Sequence, residues 1–257
     1  MNLCKGYIVF PDTHGHFDEV LTLLRCLHHA GYTKERRMVF LGDLLDRGPH
    51  VRLLLELVIR LQRQGHICIA GNHEYTLRMA LNPDVPNHAT WVERWANKYE
   101  DQTLKSYGLK TRIPLWQMSA REKLFVVKAL KNRMPVHHQA FLNQLPLFFE
   151  TENHIFIHAG LTQSGWNEQK NDLHDLSHPR GPAQIFSCEL ADAFEHPSEK
   201  IVVSGHTVHS KPHVGTRRIQ LHCGVEVGGP LVVWISDIDK FLKLPPSKSP
   251  SHSPTFS

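Results

Sequence analysis

The chain has 257 residues, 41% of them hydrophobic and 21% charged, which suits a soluble globular protein with one large domain or two small ones. No apolar run approaches the roughly 20 residues a membrane span needs, and the formal charge of +4 comes without a dense Lys/Arg block, so neither membrane nor nucleic acid is expected as a partner. The five cysteines (Cys4, Cys26, Cys68, Cys188, Cys223) are odd in number and form no CxxC pair, which argues against a disulfide framework or a cysteine zinc site and for buried structural thiols in a cytoplasmic protein.

In chain order, the opening residues lack a sustained apolar segment and a small-residue cleavage site, so Tyr7–Phe10 reads as a first buried strand. Phe17–Ala30 follows with Val20, Leu23, Leu24 and Leu27 at helical spacing, then an apolar run at Met38–Leu41. Val51–Gln64 is helical in period, His66–Ala70 reads as a third strand, and Glu74–Leu81 as a third helix. Strands alternating with amphipathic helices imply an α/β domain with parallel pairing. Residues 82–145, with Trp91, Trp95, Trp116 and several prolines, read as a mainly helical insertion covering one side of the site. Strands return at His154–His158 and Ile201–Ser204. Arg217–Cys223 and Leu231–Ser236 look like an antiparallel pair joined through Gly228-Gly229-Pro230. The domain is expected to span residues 1–244, and the Pro/Ser-rich tail, 245–257, to be disordered.

The predicted strands end in polar clusters, where open α/β sheets bind ligands. These are Asp12-Thr13-His14-Gly15, Gly42-Asp43-Leu44-Leu45-Asp46-Arg47-Gly48, Gly71-Asn72-His73-Glu74, His158-Ala159-Gly160 and Gly205-His206. A lone Asp after a strand is usually a turn or cap, and a lone His is usually structural. Five such clusters in succession have no common packing reason. Two Asp, one Asn and three His (Asp12, Asp43, Asn72, His14, His158, His206) form a sulfur-free set suited to Mn, Fe or Zn. Six ligands are too many for one tetrahedral ion and divide between two if Asp43 bridges. Other histidines, such as His28, His29, His137 and His138, are expected to be ordinary surface residues.

DTHG, GDLLDRG, GNHE, HAG and GHT, in that order, resemble the calcineurin-like metallophosphoesterases, and within them the phosphoprotein-phosphatase branch with its bacterial serine/threonine phosphatases. The likeness runs from about Tyr7 to Ser236 and includes TLKSYGL and FLNQLPLFFE. It implies two packed mixed β-sheets flanked by helices, with a dimetal site at the sheet ends. By the same resemblance, Asp12 and His14 hold the first metal, Asp43 bridges, and Asn72, His158 and His206 complete the second. Asp46 and His73 match the family's acid pair, and Arg47 a phosphate-binding arginine. Two divalent ions, manganese first with iron or zinc as alternatives, would clamp a phosphate and activate a bridging water for direct attack. His73, oriented by Asp46, would protonate the leaving oxygen.

Three departures stand out. Pro11 replaces the glycine usual before Asp12. The second phosphate-binding arginine is not evident in Ile185–Glu189, leaving Arg180 as the nearest candidate for substrate binding. The C-terminal strand, which in the family often carries Asp-Thr-Gly, here has His222-Cys223-Gly224. The leading expectation is a serine/threonine protein phosphatase acting on phosphoproteins. The alternatives are a diadenosine tetraphosphatase or other small-phosphoester hydrolase, and a metal-bound but catalytically weak binding protein.

Overall fold

The computed structural model describes residues 4–98, 102–174, 181–188 and 198–246. Strand β1 (Gly6–Phe10) leads through helix α1 (Phe17–His29) to β2 (Arg36–Phe40), and through α2 (Val51–Arg63) to β3 (Ile67–Cys68) and α3 (Asn72–Leu81). The three strands are parallel, with β1 and β2 in register from Gly6↔Arg36 to Phe10↔Phe40. Alternation along them divides the core. Ile8, Phe10, Met38 and Phe40 face a cluster that includes Val20, Leu23, Leu27, Leu54 and Val58 of the helices. Val9, Val39 and Leu41 face a second cluster with Phe156, Val203, Ile219 and Leu221. Successive strand side chains point to opposite faces, so the first sheet is covered by helices on one side and by the other sheet on the other.

Between residues 82 and 145 the described chain is helical: α4 (His88–Lys98), α5 (Gln102–Ser106), a 3-10 turn at Leu115–Gln117, α6 (Ala120–Arg133) and α7 (Val136–Gln144). Helix α6 starts in a capping box, Ser119 N–H donating to Glu122 Oε2 at 2.8 Å and Glu122 N–H to Ser119 Oγ at 3.4 Å. The chain then adds β4 (Phe148–Glu150), β5 (His154–Ile157), α8 (Trp166–His174), α9 (Ala183–Phe186), β6 (Ile201–Ser204), β7 (His213–Val214), β8 (Arg218–Gln220), β9 (Leu231–Ile235) and β10 (Lys240–Leu244). The sheets are both mixed and five-stranded, in the orders β10-β9-β1-β2-β3 and β4-β5-β6-β8-β7. This is the expected sandwich of two mixed sheets flanked by helices. Among the described residues no helix is long and apolar enough to cross a membrane.

Four expectations need correction. The strands β8 and β9 do not form a hairpin: β8 pairs with β6 and β7, and β9 with β1 and β10. Between them Gly224 and Gly228 adopt left-handed backbone (φ 73° and 84°) around a 3-10 turn, and this segment carries the chain from one sheet to the other. Strand β10 was not anticipated; it is an edge strand whose exposed Lys240 and Lys243 dilute its apolar pattern. The thiols are not uniformly buried, because Cys4, Cys26 and Cys188 are exposed while Cys68 and Cys223 are not. Cys26 lies off the Val20–Leu23–Leu27 stripe by which α1 packs. Finally, His138 is fully buried, its Nδ1 2.6 Å from the Tyr107 hydroxyl, since α7 turns this position toward α5 and α2. His28, His29 and His137 are exposed as expected. Residues 247–257 of the tail lie outside the described residues.

Candidate metal centre

The clusters meet at one end of the sandwich, the first sheet contributing oxygen donors together with the imidazole of His14 and the second only imidazoles. The oxygen donors Asp12, Asp43 and Asn72 follow β1, β2 and β3 of the first sheet, whereas the imidazoles His158 and His206 follow β5 and β6 of the second. The fit is tight enough to forbid side chains nearby. A Cβ on Gly71 would come within 2.1 Å of Asp43 Oδ1, and one on Gly205 within 2.0 Å of Asp12 Oδ1.

Asp43 is at the centre. Its Oδ2 lies 3.3 Å from His158 Nε2, 3.7 Å from His73 Nε2 and 3.8 Å from His14 Nε2. Asp12 accepts the His206 backbone N–H through both carboxylate oxygens, at 3.0 and 3.2 Å, so Pro11 does not keep it from the centre. His158 Nε2 is 2.9 Å from Asn72 Oδ1 and 3.1 Å from His206 Nδ1. The groups Asp12–His14–His222, His14–Asp43–His73 and Asp43–His158–His206 each place ligand atoms within 4.8 Å of one another.

Proton accounting favours a cation here. His158 Nδ1 is 2.8 Å from Leu41 O and His14 Nδ1 is 2.8 Å from Leu45 O. A carbonyl only accepts, so both rings carry the proton on Nδ1 and, when neutral, turn bare Nε2 lone pairs toward the carboxylates. Around His158 Nε2 the neighbours are then two oxygen acceptors, Asp43 Oδ2 and Asn72 Oδ1, and the ring nitrogen Nδ1 of His206, and the two oxygens call for positive charge between them. Burial lowers the His158 pKa, but the Asp43 and Asp12 carboxylates outweigh it and hold the ring up to about 10. That proton occupies the place a metal ion would take. Burial, followed by the charge on His158, pushes His206 down to about 4, leaving it neutral as a ligand must be. The three overlapping groups of His and Asp donors, buried except for the half-buried His206, therefore fit divalent cations.

Beside this centre, His73 Nδ1 donates to Asp46 Oδ2 at 2.7 Å. Asp46 is fully buried and also accepts the Thr103 hydroxyl, while its own N–H donates to Thr103 Oγ at 3.1 Å. Burial lowers the His73 pKa and the carboxylates of Asp43 and Asp46 more than restore it. Arg47, 43% exposed, extends Nη1 to within 3.2 Å of Glu226 Oε1. The stretch expected to hold a second arginine instead places Phe186 under the Arg94 guanidinium, 3.9 Å from the ring centre. Arg180 lies outside the described residues. Cys188 Sγ is 3.5 Å from His206 Nε2.

Two supports escaped the sequence reading. Glu74, the last residue of GNHE, accepts four backbone N–H groups: from Asp43 (2.7 Å) and Gly71 (2.9 Å) on one oxygen, and from Leu44 (2.8 Å) and Leu45 (3.1 Å) on the other. Burial and the nearby Asp43 raise its pKa to about 7 against those donors. Thr103 opens the TLKSYGL stretch, whose presence was a signal without a stated role.

An α/β sandwich with His/Asp groups able to hold cations at its strand ends is the arrangement of a metallophosphoesterase. The chain belongs to the calcineurin-like phosphoesterase family, whose model matches residues 7–210, and it is therefore a phosphoesterase of the hydrolase class. A bis(5'-nucleosyl)-tetraphosphatase PrpE (asymmetrical) of Bacillus mycoides is 25% identical over 248 residues, covering 88% of each chain. In fold, the chain is similar to a putative diadenosine tetraphosphatase (TM-score 0.59, 17% identity, 95% of this chain and 96% of that one). It is also similar to a cold-active protein-tyrosine phosphatase of a psychrophilic Shewanella (TM-score 0.55, 17% identity, 93% and 80%).

Proposed function

We propose that Asp12, His14 and Asp43 hold one divalent cation, that Asp43, Asn72, His158 and His206 hold a second, and that the protein hydrolyses phosphoric anhydrides of dinucleoside polyphosphates. The observation that carries the metal reading is the pair of buried oxygen acceptors facing His158 Nε2, Asp43 Oδ2 at 3.3 Å and Asn72 Oδ1 at 2.9 Å. Oxygen and imidazole donors without sulfur make manganese the first ion to test. When bound, a pair of such ions neutralises phosphate oxygens and lowers the pKa of a water. Arg47 forks onto equatorial phosphate oxygens once it leaves Glu226. His73, held by Asp46, gives its Nε2 proton to the leaving oxygen.

The near full-length likeness to PrpE enzymes puts dinucleoside polyphosphates ahead of phosphoproteins as the substrate class. The form of GDLLDRG and GNHE supports serine/threonine phosphoproteins as the second reading. The leaving groups separate the two. A nucleotide leaves as a stable anion at neutral pH, whereas a serine alkoxide needs a proton from His73. With manganese-loaded protein we expect diadenosine tetraphosphate to be cleaved at least about tenfold faster than phosphoserine peptides. His73→Asn should cost the peptide reaction about 100-fold or more and the anhydride reaction much less. Asp43→Asn should abolish both. Preference for the phosphopeptide reverses the substrate order, and undiminished turnover in metal-stripped protein sinks the metal reading.

A further inference from the structure

His222 stands where the family pattern leads one to expect an acid, and its surroundings give it a task. It is 1% exposed and follows β8, the neighbour of β6 in the second sheet. Its Nε2 is 3.8 Å from Asp12 Oδ2, its ring centre is 6.2 Å from that of His14, and single ligand atoms of Asp12, His14 and His222 all lie within 4.8 Å of one another. The same Nε2 is 3.1 Å from Glu226 Oε1, a side chain 1% exposed. The buried Nδ1 of His222 and Oε2 of Glu226 make no hydrogen bond. Nothing here resembles a packing role, because a polar ring in an apolar slot would bring its own partners for both nitrogens.

The ligand count gives the reason for such a residue. In the arrangement proposed above, the second cation has four protein donors and the first has three. A divalent ion with N/O ligands readily takes a fourth, and an imidazole facing Asp12 from the opposite sheet supplies one. We propose that His222 is a fourth protein ligand of the first cation, and that Glu226 is a positioning residue that orients the ring before the cation binds. This rests on the two-cation reading. Without a cation, Nε2–H donates to Glu226. Binding would displace that proton to solvent and turn the Nε2 lone pair to the ion, and until substrate draws Arg47 away Glu226 keeps it as its partner at 3.2 Å.

The test is manganese binding by calorimetry and elemental analysis on the full chain, with pulsed EPR of 15N-histidine-labelled protein reporting the nitrogens coupled to the ion. Wild type should bind two ions. His222→Ala should weaken one of them at least about tenfold and lose one coupled imidazole nitrogen, leaving the other ion unchanged. Glu226→Gln should keep both ions and every coupled nitrogen, with a smaller loss of affinity. Should His222→Ala fail to fold, as judged by circular dichroism of the metal-free protein, His222→Asn carries the same expectation. Two ions at wild-type affinity and an unchanged nitrogen count in the variant overturn the role of His222 alone. Fewer than two ions on wild type overturns the two-cation reading, and this one with it.

Discussion

Eight non-glycine residues among those described have positive φ, and five of them are His14, Asp43, Asp46, Arg47 and His206. Such backbone is unfavourable for side chains of this size and persists only where neighbours over-determine it. Glu74 is one such neighbour, since its four N–H partners include Asp43 and the two residues after it. Glu74→Gln keeps the shape but turns an amide N–H2 toward two of those donors. We expect it to lower unfolding free energy by about 3 kcal/mol in urea titration and to weaken manganese binding as the Asp43 loop relaxes. Thr103→Val is the milder companion. It strips Asp46 of a hydroxyl donor and should lower kcat on phosphopeptide with little change in KM. An unchanged kcat would show that Asp46 orients His73 without it. The candidate ligands were legible in the sequence because each follows an apolar run. Thr103 was not, since 57 residues separate it from Asp46, and no local pattern marks that pairing.

At the scale of elements, the first three strands and two helices were readable because burial on known faces leaves a strong period in the sequence. Helix α3 begins at Asn72, two residues before its apolar pattern starts, and that early start puts Asn72 and His73 on its first turn. Strand partners were harder. The strands β8 and β9 are buried throughout, so their sequences announce strands without saying which sheet receives them. The turn after β9 is fastened to β2 by Arg36, whose Nε and Nη2 meet Asp237 at 2.7 and 2.6 Å. The hydrogen bond from Arg36 holds the Asp237 carboxyl below its ordinary range. A lowered carboxylate pKa means stability that is present above the ordinary value near 4 and lost as pH falls through the lowered one. Asp237→Asn should therefore cost about 1 kcal/mol at pH 7, and the gap from wild type should close in denaturant titrations below about pH 4. A gap that persists in acid would assign the effect to packing.

Over the whole molecule, the two sheets meet through the small apolar cluster of Val9, Val39, Leu41, Phe156, Val203 and Trp234, and again through the polar centre at the strand ends. The apolar part is stable as it stands. The polar part sets Asp12 and Asp43 of one sheet against His158 and His206 of the other, with Leu41 and Leu45 carbonyls fixing two rings so that acceptors face acceptors. A cation placed there bonds to both sheets at once and binds only the folded chain, because the donors are scattered from residue 12 to residue 206 in the unfolded one. Ligation of this kind raises stability by RT ln(1 + [L]/Kd), about 2.7 kcal/mol at a hundredfold excess over Kd. For a chain of this length that is a shift in Tm of roughly 5–10 °C. Manganese should raise the calorimetric Tm of wild type by that amount and a chelator should return it. Asp43→Asn, which loses the group shared by both proposed ions, should show almost no shift while unfolding cooperatively without metal. An equal shift in Asp43→Asn would mean that the stabilising ion binds elsewhere, with the Glu56–His137–His138 cluster the first place to look.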